Sequence, residues 1–95
     1  MGRTWRARIN LEKYHHNVVE GEPKEGEFSI SEYCDVIIRK VKSTYVFPVT
    51  TRTEIEAAFI DVKLLGENAT LDDFDEALQI LYDEADYYRV WINTF

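Results

Sequence analysis

Cysteine, proline and glycine are all scarce in this chain, at one, two and four residues of 95. A lone Cys34 excludes an internal disulfide and any cysteine-rich zinc site, and it suits a reducing, cytoplasmic setting. No window approaches the ~20 apolar residues of a membrane span, so no membrane role is expected. The opening "MGRTWRARIN" has basic residues with no apolar run behind them, unlike a secretory signal. Arg6 stands where a myristoylation signal needs Ser or Thr. Also missing are a glycine-rich phosphate loop, a Gly-x-Ser-x-Gly elbow and a Cys-x-x-Cys pair. "Asn68-Ala69-Thr70" has the form of a glycosylation sequon, which carries no meaning in a cytoplasmic protein.

Basic charge is short as well. The net charge is −7. Residues 1–48 hold eight Lys/Arg against seven Asp/Glu, whereas residues 49–95 hold three against eleven, so the acid lies in the second half. Overall acidity argues against direct nucleic-acid or anionic-lipid binding, because phosphate contacts are made by Lys and Arg. What the chain does have is apolar residues, at 45%. One domain of this size buries on the order of 60–70% of its unfolded surface and folds without staples. Residues 1–95 are therefore read as a single domain.

Thr4 to Leu11 alternate, with Trp5, Ala7, Ile9 and Leu11 on one side, which is the period of a half-buried strand. "EGEPKEGE", residues 20–27, has two glycines, a proline and four glutamates and reads as a loop. "FSISEYCDVIIRKVKS" opens with Ser29 as cap, Glu32 closing the box, and Phe28 and Tyr33 as a hydrophobic staple. Tyr33, Val36, Ile37 and Val41 recur at helical spacing, and Arg39, Lys40 and Lys42 suit a helix C-terminus. "TYVFPVT" is extended, and Pro48 limits it to an edge strand or a connection.

A second helix is expected with Thr53 as cap, Glu56 closing the box and Gly66 as the stop. Its stripe of Ile55, Ala58, Phe59, Val62 and Leu65, widened by Ile60 and Leu64, predicts cover on more than one side. The third helix starts at Thr70, with Asp73 in the closing position and Ala69 and Phe74 as a weak staple. Its inner stripe is Leu71, Phe74, Ala77, Leu78, Leu81 and Ala85. "YYRVWINTF" keeps Tyr88 and Ile92 in helical phase, yet its aromatic and β-branched content favours a strand. The frame Arg-x-x-Ile-Asn occurs at Arg6–Asn10 and again at Arg89–Asn93, as two neighbouring strands of one sheet would allow. The expected fold is α+β: three helices packed on a small, mostly antiparallel sheet formed by the N- and C-terminal strands. The alternative is nearly all-α, with the terminal strand absorbed into the last helix.

Residues 70–91 hold seven carboxylates and no cation before Arg89. Asp73 and Asp75 alternate as calcium ligands do, but no glycine follows and the apolar phase is helical. Asp72 and Asp73 sit in a first turn, where the helix dipole favours negative charge at ~0.3–1 kcal/mol each. Asp83, Glu84 and Asp86 lie at the unfavourable end, so something other than helix stability places them there. Solubility is the bland explanation and a basic partner the sharper one.

His15 and His16, adjacent on a strand, face opposite ways and cannot chelate one ion together. Cys34 falls in the apolar phase of a helix, as an inert buried thiol does, rather than pairing with His15 as a nucleophile. Arg3, Arg6 and Arg8 around Trp5 loosely suit single-strand nucleic acid. A core Trp5 with arginines facing water or the acidic helix is the simpler reading. Thirteen aromatic rings are many for one small core, and Tyr, Trp and Arg are the residue types enriched at binding hot spots.

The leading expectation is a non-enzymatic module with no cofactor, catalytic residue or metal. It would bind a protein with a basic surface through Asp72, Asp75, Glu76, Asp83, Glu84, Asp86, Tyr87, Tyr88 and Trp91. Self-association is another use for the surplus rings. In general character, not by any motif, such a chain is like the small acidic phage and mobile-element proteins that inhibit or redirect a host protein. Two rivals remain: a DNA mimic occupying a nucleic-acid-handling protein, and a small enzyme or ligand binder using His15 and His16.

Overall fold

The computed structural model describes residues 17–92. Strand β1 (Val18–Val19) and strand β2 (Phe28–Ser29) precede three helices, α1 (Ile30–Ser43), α2 (Val49–Leu64) and α3 (Leu71–Tyr88), with a 3-10 turn at Gly66–Asn68. The architecture is α+β, but its sheet differs from the expected one. Among the described residues it has two strands, they are parallel, and Val18 lies opposite Phe28. Loop 20–27 explains the direction. Gly21 and Gly26 both take left-handed backbone, at φ 75° and 86°, which glycine adopts without a Cβ penalty. Around Gly26 the turn is closed by the Glu27 N–H donating to the Lys24 carbonyl at 2.9 Å. The bend at Gly21 and the turn at Gly26 bring β2 alongside β1 in the same direction.

The C-terminal strand expected for this sheet is not formed among the described residues. The strand expected over Thr4–Leu11 lies outside the described residues. At the other end α3 runs on to Tyr88, and residues 89–92 form no strand. Val90 and Ile92 are half-buried against the core while Trp91 points out. Residues 90–92 therefore alternate in burial as a strand would, in keeping with their aromatic and β-branched content. Among the described residues they have no ladder partner, so they form an extended strap rather than a sheet element.

The first and third helix starts follow the local sequence. Ser29 accepts from the Glu32 N–H at 3.1 Å while Glu32 accepts from the Ser29 N–H at 3.0 Å. The Phe28 and Tyr33 rings meet edge to face at 5.5 Å, completing the staple. Thr70 and Asp73 make the same reciprocal box, at 3.1 and 3.0 Å. A second carboxylate reaches this helix from far along the chain: Glu20 accepts from the Leu71 N–H at 2.7 Å. That places an anion on free N–H groups at the positive end of the dipole.

Helix α2 starts earlier than expected. Pro48, not Thr53, is the N-cap residue, and its carbonyl accepts from the Arg52 N–H at 2.9 Å. Proline suits a helix start because its φ is already set and it has no N–H to leave unsatisfied. Thr53 is thus inside the helix, where its hydroxyl donates to the Val49 carbonyl at 3.0 Å. The added turn puts Thr51 in the core. Gly66, at φ 59°, ends the helix as expected.

Three helices meet on Phe74, whose ring packs edge to face on Tyr33 of α1 and Phe59 of α2, at 6.1 and 6.2 Å. Ile37, Val41, Ile55, Leu78 and Leu81 complete the fully buried set with Cys34. Each such aliphatic side chain contributes roughly 1.5–3 kcal/mol of burial. On α2 the outer residues Ile60 and Leu64 are exposed, Leu64 at 78%. The expected second cover on this helix is absent among the described residues.

Candidate interaction surface

Helix α3 turns Phe74, Ala77, Leu78, Leu81 and Ala85 into the core, with Leu71 half-buried beside them. That inner stripe is the expected one, and it leaves the acids outside. Asp72, Glu76 and Asp86 are exposed and Glu84 is half-exposed. None of these four makes an ion pair with a described residue; the ion pair seen there joins Lys63 of α2 to Asp35 of α1. Asp75 and Asp83 differ. Both are half-buried and engaged within the molecule, and Asp83 accepts from the Gln79 amide at 3.2 Å. The acidic face is therefore narrower than the full set of carboxylates. Ile80, 41% exposed, stands between Glu76 and Glu84 on one helical row.

The aromatic residues divide in the same way. Tyr88, 39% exposed, packs edge to face on Phe47 at 6.4 Å, and Phe47 packs on Tyr45 at 6.5 Å. The Thr51 hydroxyl donates to the Tyr88 phenol oxygen at 3.4 Å. Tyr88 thus ties the end of α3 to the connection before α2 and to the first turn of α2. Tyr87 leans on Tyr88, with centroids 4.8 Å apart, and is 71% exposed; Trp91 is 81% exposed. These two rings are presented to solvent, and Tyr88 is the support beneath one of them.

Between them Arg89 takes left-handed backbone at φ 61°. Its N–H and that of Val90 both donate to the Ala85 carbonyl, the latter at 2.8 Å. This closes the helix with the geometry that glycine usually supplies. An arginine there costs roughly 1 kcal/mol in backbone energy. It turns the strap so that Val90 and Ile92 reach the core and Trp91 does not.

Groups of other chemistry are placed as follows. Cys34 is fully buried, and burial, with Asp35 adding to it, pushes its thiol up to about 12 against a smaller opposing effect of Lys63. A thiolate is not accessible to solvent at neutral pH. His15 and His16 lie outside the described residues, as do Arg3, Trp5, Arg6 and Arg8. Among the described residues no three His, Cys, Asp or Glu side chains gather as a metal site would require, and no helix is long and apolar enough to cross a membrane. Sequence reasoning missed the exposure of Ile80, because its phase is shared by the core stripe only in part. Comparison with known protein families, characterised proteins and solved structures finds no match to this chain.

Proposed function

We propose that this chain is a non-enzymatic protein-binding module whose partner presents a basic surface. The observation that carries the reading is the exposure of Tyr87 and Trp91 at the end of an acid-bearing helix. Exposed large aromatics cost solubility, and clustered beside charge they are the common make-up of an interface hot spot. Asp72, Glu76, Glu84 and Asp86 supply long-range attraction and raise the encounter rate, while the rings supply affinity once water is expelled. Covering a basic site on the partner would inhibit or redirect it.

The test uses Tyr87→Ala/Trp91→Ala, which spares the supporting Tyr88. Wild type and variant are each used to capture proteins from a bacterial lysate at low salt, and the recovered proteins are compared quantitatively. The reading requires one or more proteins retained by wild type and depleted about tenfold or more with the variant, equivalent to ~1.4 kcal/mol. Equal recovery with both baits refutes it. Release of the captured protein by duplex DNA would instead favour the mimic reading, in which the carboxylates stand in for phosphates.

A further inference from the structure

We infer that the partner's docking segment is a Lys/Arg-bearing amphipathic helix, and that it lies along the seam between α2 and α3 rather than on α3 alone; this rests on the protein-binding reading above. The seam follows from which sides of the two helices touch. Thr51 of α2 meets Tyr88 of α3 at one end, and Phe59 meets Phe74 further along. The opposite flank of α2 faces α1, because Lys63 reaches Asp35 there.

With ~3.6 residues per turn, the α2 flank beside α3 carries Glu54, Ala58, Asp61 and Leu65 on one row. The matching lip of α3 is Glu76, Ile80 and Glu84. Glu54 and Asp61 are exposed, as are Leu65 and Ile80, and Ala58 is half-buried. By helical phase Ala58 and Leu65 lie nearer the seam than Glu54 and Asp61, while on α3 Ile80 stands among Glu76 and Glu84, so aliphatic and acidic side chains share both lips, which end at Tyr87.

No described cation enters it. Arg52 and Lys63, the basic residues of α2, fall on the flank facing α1, and α3 has none from Leu71 to Tyr88. An occupant that fits has apolar residues along one face and cations on both edges, which is an amphipathic basic helix. A second copy of this chain docked seam to seam does not fit, since it would set carboxylates against carboxylates.

The experiment measures binding of a synthetic peptide of roughly 18 residues, about five helical turns, with leucines at every third or fourth position and lysines between. A scrambled peptide of the same composition controls for charge alone. Glu54→Lys/Asp61→Lys tests the α2 lip, Glu76→Lys/Glu84→Lys the α3 lip, and Glu22→Lys/Glu25→Lys makes the same charge change on the exposed loop. Helical circular dichroism and the thermal midpoint establish that each variant is folded.

The seam requires the amphipathic peptide to bind wild type about tenfold or more tighter than the scramble, and each lip variant to lose about tenfold or more. The loop variant must stay within about twofold of wild type. If the α2-lip variant binds as wild type does while the α3-lip variant fails, the seam is wrong and the α3 reading stands. Equal binding of ordered and scrambled peptides overturns the seam, and lysate capture then decides the wider reading by itself. Sedimentation equilibrium supplies the last outcome: a dimer abolished by Glu54→Lys/Asp61→Lys would mean that a second copy fills the seam.

Discussion

At the scale of single residues, burial separates groups that composition treats alike. Cys34 has ordinary thiol chemistry, but its fully buried place between α1 neighbours raises it to about 12. Its ordinary value is ~8.5, so the native state holds the proton where the unfolded chain releases it. The stabilisation is complete below pH ~8.5 and is lost as pH rises toward the folded value. Between pH ~8.5 and ~10, urea-unfolding free energy should fall by up to roughly 1.4 kcal/mol per pH unit, and Cys34→Ala should flatten that slope. Tyr33 is raised in the same direction, chiefly by burial, and adds to the loss only above pH ~10. The two neighbouring tyrosines separate as well. Tyr88→Ala removes a ring seated on Phe47 and should cost roughly 1–3 kcal/mol by chemical denaturation, while Tyr87→Ala stays within about 0.5 kcal/mol of wild type.

At the scale of elements, helix starts show where local grammar is sufficient. Thr70 and Thr53 both precede an acid by three residues, and the first is a cap while the second is not. Thr70→Ala should therefore cost about 1 kcal/mol, with Thr53→Ala nearly neutral, in thermal or urea unfolding. The reverse order would mean that α2 begins at Thr53 after all. The difference arises from Pro48, which starts the helix five residues upstream, and from the core position that Thr51 gains by it. Glu20 makes a related point for α3. A carboxylate in a loop completes the N-terminus of a helix fifty-one residues later, which no local rule detects.

For the whole molecule, the chain keeps more apolar surface outside than its helices need. Ile60 and Leu64 share the outer row of α2 with Val49, and all three are exposed. Ile60→Lys/Leu64→Lys should leave the thermal midpoint unchanged to within about 0.5 kcal/mol of equivalent stability. A large loss would show that this row is covered in solution. Burial also sorts the charges. The acidic excess of residues 49–95 is spread over two adjoining helices, whereas Arg39, Lys40 and Lys42 sit at the C-terminal end of α1. Among the described residues the acid of α2 and α3 and the basic end of α1 thus belong to different helices.

The sequence by itself determined what depends on neighbours a few positions apart. It contained the capping boxes at Ser29 and Thr70, the Phe28–Tyr33 staple, the stop at Gly66, the inner stripes of α1 and α3, and the loop at 20–27. These are set by contacts within one or two turns, and the energies involved are local. Tertiary structure alone decided what depends on which surfaces meet. It made the sheet a parallel pair, because the bend at Gly21 and the turn at Gly26 together bring β2 back alongside β1 in the same direction. It left residues 90–92 as a strap, because aromatic and β-branched content favours a strand but cannot supply a neighbouring one. It also divided the candidate site, engaging Asp75 and Asp83, seating Tyr88 on Phe47, and leaving Tyr87 and Trp91 in water. Exposure is a property of packed surfaces, and a single helix carries no record of what will lie beside it.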